Sequence, residues 1–101
     1  MPISVVLTYA VPATVWATTF YLQITWTDPT DPNSASVNIY RSTVSGGPYT
    51  KIANIALGVQ TYNDYLVSPG VDYFYVLTEV NNVGAESGYS TEQSGIPGSI
   101  P

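Results

Sequence analysis

The chain has 101 residues, with two basic and seven acidic side chains, a net charge of −5 and neither His nor Cys. One domain's length of chain without imidazole or thiol excludes the usual zinc sites, the Ser-His-Asp triad and thiol nucleophiles. Arg41 and Lys51 are the only basic side chains, too few to neutralise phosphates along a nucleic acid, so no nucleic-acid partner is expected.

Hydrophobic residues make up 45% of the chain and charged ones 9%, which excludes the low-hydrophobicity, high-charge composition of disorder. Without Cys, the core has no covalent staple, and the composition assigns no redox compartment. No charge precedes Asp28, but Pro12 and Thr8, Thr14, Thr18, Thr19, Gln23 and Thr25 interrupt any apolar run of membrane-spanning length. No Lys or Arg precedes the apolar stretch, as a signal peptide requires. Neither membrane insertion nor a signal peptide within the chain is expected.

Period-two alternation recurs along the chain and helical periodicity does not. Residues 3–9 and 14–19 read as one or two strands separated by Pro12. If one strand runs through, Trp16 shares the parity of Phe20 and points to the core. Phe20, Leu22, Ile24 and Trp26 then alternate with Tyr21, Gln23 and Thr25, and Asp28-Pro29 ends that strand. Val37 and Ile39 alternate with Asn38 and Tyr40. Ser45-Gly46-Gly47-Pro48 is a turn, with a short strand over Tyr49 to Ala53 after it. Gln60 to Asp64 is the next strand, followed by the turn Ser68-Pro69-Gly70. Tyr73 to Val80 is the longest, and Asn81-Asn82-Val83-Gly84 separates it from a last strand over Ser87 to Ser94. The tail, residues 95–101, reads as a linker or arm. Turn signals between about seven short strands predict an antiparallel sandwich.

The runs Val37-Asn38-Ile39-Tyr40-Arg41-Ser42 and Gly47-Pro48-Tyr49-Thr50-Lys51-Ile52-Ala53 resemble the C and C′ strands of bacterial fibronectin type III domains. Tyr62-Asn63-Asp64 and Pro69-Gly70-Val71-Asp72-Tyr73-Phe74-Tyr75-Val76 resemble that family's E–F corner and F strand. Asn81 to Gly84 with Glu86-Ser87-Gly88-Tyr89-Ser90 is similar to its F–G loop and G strand, and Trp26 stands where the family has its B-strand core Trp. The resemblance covers residues 20–97. It implies a seven-stranded antiparallel immunoglobulin-like β-sandwich. Residues 1–13 would be an arm or an extra strand, 14–97 the domain and 98–101 a tail. It also implies a core of Leu22, Ile24, Trp26, Ile39, Tyr73 and Leu77, with the Tyr73 hydroxyl tied to backbone before the F strand. Glu79 departs from the pattern by continuing the inward row where the family has Ala. It should reach water at the sheet's end or pair with Arg41 or Lys51, since an unpaired buried carboxylate is costly. The family's integrin-binding Arg-Gly-Asp triplet is absent from Asn82-Val83-Gly84-Ala85-Glu86, so that activity is not implied.

Four sites are weighed on chemistry. Asp28, Thr30, Asp31 and Asn33 form an oxygen-rich loop that matches no complete calcium motif, and Asp-Pro is ordinary turn chemistry; no cofactor or metal is expected. Asp64, Asp72 and Glu86 are the candidate acids for glycoside hydrolysis, which needs two across a cleft, and nothing in the spacing puts two there. Tyr40, Phe74, Val76 and Val80 are expected to face outward as an apolar stripe, either ordinary surface or a docking face for a protein or neighbouring domain. A stacked-ring sugar platform has weaker support, because no flat row of Trp accompanies it. Finally, Ile3 to Tyr9 is uncharged and β-prone, suited either to accept a neighbour's strand or to be used within the domain.

The resulting expectation is a non-catalytic structural or interaction module. Two settings compete: decoration of a virion or other exterior assembly, favoured by the stand-alone length from Met1, and a spacer from a secreted multidomain carbohydrate-active enzyme, the setting of many bacterial members of this family.

Overall fold

Alternation along residues 21–27 builds the first wall of the core. In strand β2 (Tyr21–Thr27), Leu22, Ile24 and Trp26 are buried and the residues between them are partly exposed. This is what a strand with one face on the core requires. The computed structural model describes the backbone of residues 4–10 and, in full, residues 20–98; Trp16 and the strand expected at 14–19 lie outside them. Strand β1 (Ser4–Ala10) pairs antiparallel with β2 in an unbroken register from Ser4 opposite Thr27 to Ala10 opposite Tyr21. The N-terminal segment is thus an added strand, its pairing used within the domain.

The remaining strands are β3 (Ser34–Ser42), β4 (Thr50–Ala56), β5 (Thr61–Asp64), β6 (Tyr73–Asn81) and β7 (Gln93–Gly95). They form two sheets, of order β1-β2-β5 and β4-β3-β6-β7. The chain crosses between sheets after β2, after β4 and after β5, which makes an antiparallel sandwich rather than a meander. Between the sheets lie Leu22, Ile24, Trp26, Val37, Ile39, Tyr73, Tyr75 and Leu77. All six core residues named from sequence are among them. The Tyr73 hydroxyl accepts the Ser68 backbone N–H at 2.8 Å, bracing the turn that feeds β6.

Three expectations are corrected. The last strand is not residues 87–94: β7 spans Gln93–Gly95, and before it only a single bridge joins Val80 to Glu86. Serine side chains displace the ladder. Ser87 donates its N–H to the Glu79 carbonyl while its Oγ accepts the Glu79 N–H, both at 2.8 Å. Ser90 does the same with Leu77, again at 2.8 Å in both bonds. With hydroxyls serving β6 in place of carbonyls, a regular strand cannot form there.

The segment at residues 95–98 is not a linker either. Gly95 pairs with Tyr73, Pro97 is fully buried, and the Pro97 carbonyl accepts the Gly70 N–H at 3.0 Å. Gly98 has φ of 77°, and a Cβ there would stand 2.9 Å from Pro69 and 3.0 Å from Phe20. Both its backbone shape and its space require glycine.

Glu79 finds neither cation. It is buried, the Ser34 hydroxyl donates to its Oε2, and its Oε1 has no partner among the described residues. Arg41 is held by Asp64, and Lys51 stands opposite Tyr40 in the β3–β4 pairing.

Candidate functional site

Parity sets the outer face of the four-stranded sheet. Because Val37, Ile39 and Tyr75 point inward, Asn38 and Tyr40 of β3 and Phe74, Val76, Thr78 and Val80 of β6 point outward. This face is not the exposed apolar stripe expected from sequence. Val76 is buried, opposite Tyr40 in register, while Tyr40, Phe74 and Val80 are half-buried. Val76 therefore presents nothing to a partner. Thr78 and Asn38, also buried, interrupt the apolar row.

The reason is Glu86, which folds back from the turn after β6 onto this face. Its Oε2 accepts hydrogen bonds from the Asn38 side-chain amide at 3.0 Å and from the hydroxyls of Thr78 and Tyr40. Asn54 extends the network, donating to Asn38 at 2.9 Å. The Thr78, Tyr40 and Asn38 donors hold the Glu86 carboxyl below the usual range, with a smaller contribution from Lys51. The same contact, with burial, pushes the Tyr40 phenol upward.

Beside this network stand three tyrosines. Tyr89 lies between Tyr40, with ring centroids 5.3 Å apart and planes at 70°, and Tyr49, at 5.1 Å and 73°. Both are edge contacts of the kind aromatic quadrupoles favour. The Tyr49 phenol in turn donates to Glu92, which also accepts the Gly46 N–H at 2.8 Å and the Ser45 hydroxyl at 2.7 Å. Those bonds, the Gly46 N–H first, hold the Glu92 carboxyl low. Tyr89 remains 55% exposed. A shallow groove of about 200 Å³ opens among Tyr40, Thr78, Glu86, Ser87, Gly88 and Tyr89. Of the stripe expected from sequence, only Tyr40 lines it. The gathering of Glu86, Tyr49, Tyr89 and Glu92 on this face was not foreseen from sequence. The signal in the sequence was the polar pair Asn38 and Thr78 at outward positions of neighbouring strands.

The candidate acids do not meet. Asp64 lies inside the sandwich. Its carboxylate takes Arg41 Nη1 at 3.0 and 2.8 Å, the Tyr75 hydroxyl at 2.6 Å and the Leu66 N–H at 3.1 Å. Burial first, and then Asp64, pushes the Tyr75 phenol far above its usual value. Glu86 is on the other side of β6, and Asp72 is exposed just before that strand begins. In the loop after β2, Asp28 uses one oxygen for the Trp26 indole N–H at 3.0 Å and the other for the Gly58 N–H at 2.6 Å. Asp31 accepts the Asn33 N–H at 2.8 Å in a local turn. Among the described residues, no group of three or more acidic side chains is arranged to hold a metal ion.

No protein-family model matches the sequence. A stretch of 64 residues is 47% identical to part of an amylopullulanase of Thermoanaerobacter thermohydrosulfuricus, covering 63% of this chain and 4% of that protein. A stretch of 87 residues is 34% identical to part of an amylopullulanase of Thermoanaerobacterium saccharolyticum, covering 86% of this chain and 7% of that protein. The chain therefore spans less than a tenth of the length of these curated relatives. Among solved structures, an Fn3-like protein from Clostridium thermocellum superposes with a TM-score of 0.65 and 39% identity, over 73% of each chain.

Proposed function

This chain belongs to the fibronectin type III-like family, and from that premise we propose that it is a non-catalytic module of a larger, extracellular carbohydrate-active enzyme, in contact with that enzyme's neighbouring domains. The observation that carries this reading is the recurrence of most of this sandwich as a small part of amylopullulanases. It favours the enzyme-module setting over virion decoration, which no relative supports. The state of the carboxylates agrees with a non-catalytic role. Glycoside hydrolysis needs two acids flanking one bond, whereas here Asp64 is sealed in the core and the four-stranded sheet separates it from Glu86.

Two measurements on the isolated chain test the reading. Incubation with soluble starch and pullulan should release no reducing ends above a buffer blank; turnover abolished in Glu86→Gln would overturn the non-catalytic assignment. Sedimentation should give a monomer, because a module of this kind meets its neighbours through the polypeptide. A stable closed assembly of many copies would support a decorating role instead.

A further inference from the structure

The groove on the outer face has a composition that the fold does not require. Covering a sheet needs apolar bulk, yet here two tyrosines, a threonine, a serine and an ionised glutamate converge, with Tyr49 packed behind Tyr89. Saccharide rings present apolar C–H faces bordered by hydroxyls, so their sites combine an aromatic surface with fixed polar groups. Tyr89 supplies the first. It packs against Tyr40 and Tyr49 through T-shaped ring contacts while staying 55% exposed, which restricts its side chain before any ligand arrives. The polar groups are fixed too. The Tyr40 hydroxyl proton is committed to Glu86, which leaves its lone pair as an acceptor for a sugar hydroxyl. Gly88 has nothing within 4 Å of where its Cβ would be, which keeps the groove open. The groove's volume of about 200 Å³ accommodates a single pyranose ring.

Charge selects among sugars. The chain carries −5 overall, and Glu86 and Glu92 flank the tyrosines with carboxyls held in the ionised form. A uronate would meet like charge here. We propose that this groove holds one residue of a neutral glucan, so that the module contacts the polysaccharide its parent enzyme acts on. This rests on the reading of the chain as a carbohydrate-active enzyme's module and deepens it.

The test is an amide-resolved NMR titration of the intact chain with maltohexaose, cellohexaose and hexagalacturonate in parallel. At least one neutral glucan should give saturable shifts at Thr78, Ser87, Gly88 and Tyr89, with a Kd of order millimolar as befits a single shallow subsite. Hexagalacturonate should bind at least tenfold more weakly. Tyr89→Ala should abolish the shifts. Gly88→Val, which adds bulk at a lining position where a Cβ meets no other atom within 4 Å, should abolish them while leaving the other cross-peaks in place. Absence of groove shifts with both neutral glucans, equal binding of the uronate, or undiminished binding in Gly88→Val would each overturn the proposal. None of these results bears on whether the module is catalytic, which the hydrolysis assay decides separately.

Discussion

Arg41 and Asp64 join the two sheets. Arg41 is on β3 of the four-stranded sheet and Asp64 on β5 of the three-stranded one, and Nη1 reaches both carboxylate oxygens. The Arg41 guanidinium also lies 5.7 Å from the centroid of the Tyr73 ring and donates to the Leu66 carbonyl at 3.2 Å. One side chain thus ties together the core, the turn after β5 and the tyrosine that braces that turn.

Removing Arg41 strands a carboxylate that is only 2% exposed. Arg41→Met should cost about 3–5 kcal/mol, the range for a buried pair broken from one side. The double variant Arg41→Met/Asp64→Asn should recover part of that loss, because the uncompensated charge is then gone. Denaturant unfolding of Arg41→Met, Asp64→Asn and the double variant against wild type gives the coupling; a double variant no more stable than Arg41→Met would refute the account.

Trp26 closes the inward row of β2 and anchors the following loop through Asp28. Trp26→Ala should cost about 3–5 kcal/mol, as large truncations in a packed core do. An unchanged melting curve would show that this ring is not part of the cooperative core.

The serine substitution for a ladder is open to direct measurement. In Ser90→Ala the Leu77 N–H loses its acceptor beside a fully buried side chain. The expected loss is about 1–2 kcal/mol, with faster hydrogen exchange at the Leu77 amide. Unaltered exchange there would mean that the hydroxyl does not protect that amide in solution.

Acid should loosen the outer face. Because its donors hold the folded pKa of Glu86 below the usual carboxylate range, the stabilisation it contributes is full above the unfolded value. It is lost as pH falls through the folded one. The wild-type Tm should therefore fall more than that of Glu86→Gln between about pH 5 and pH 3. Parallel Tm curves for the two proteins would remove Glu86 from the acid response.

The sandwich was legible in the residues alone. Alternation in residues 20–26, 37–40 and 73–80 tells which side chains face inward, because strand geometry sends successive residues to opposite faces whatever their partners are. It therefore placed Trp26, Tyr73 and the aliphatic core. It did not reveal that Val76 is covered, that Ser87 and Ser90 replace a strand, or that Pro97 and Gly98 pack into the fold. Nor did it show Glu86 gathering Asn38, Tyr40 and Thr78. Each of these depends on loops folding back onto a sheet and on pairings between residues far apart in the chain. Such closures are set by the three-dimensional course of the backbone, and no local periodicity encodes them. Where the groove lies, and which polar groups line it, accordingly emerges from the folded chain and not from its periodicity.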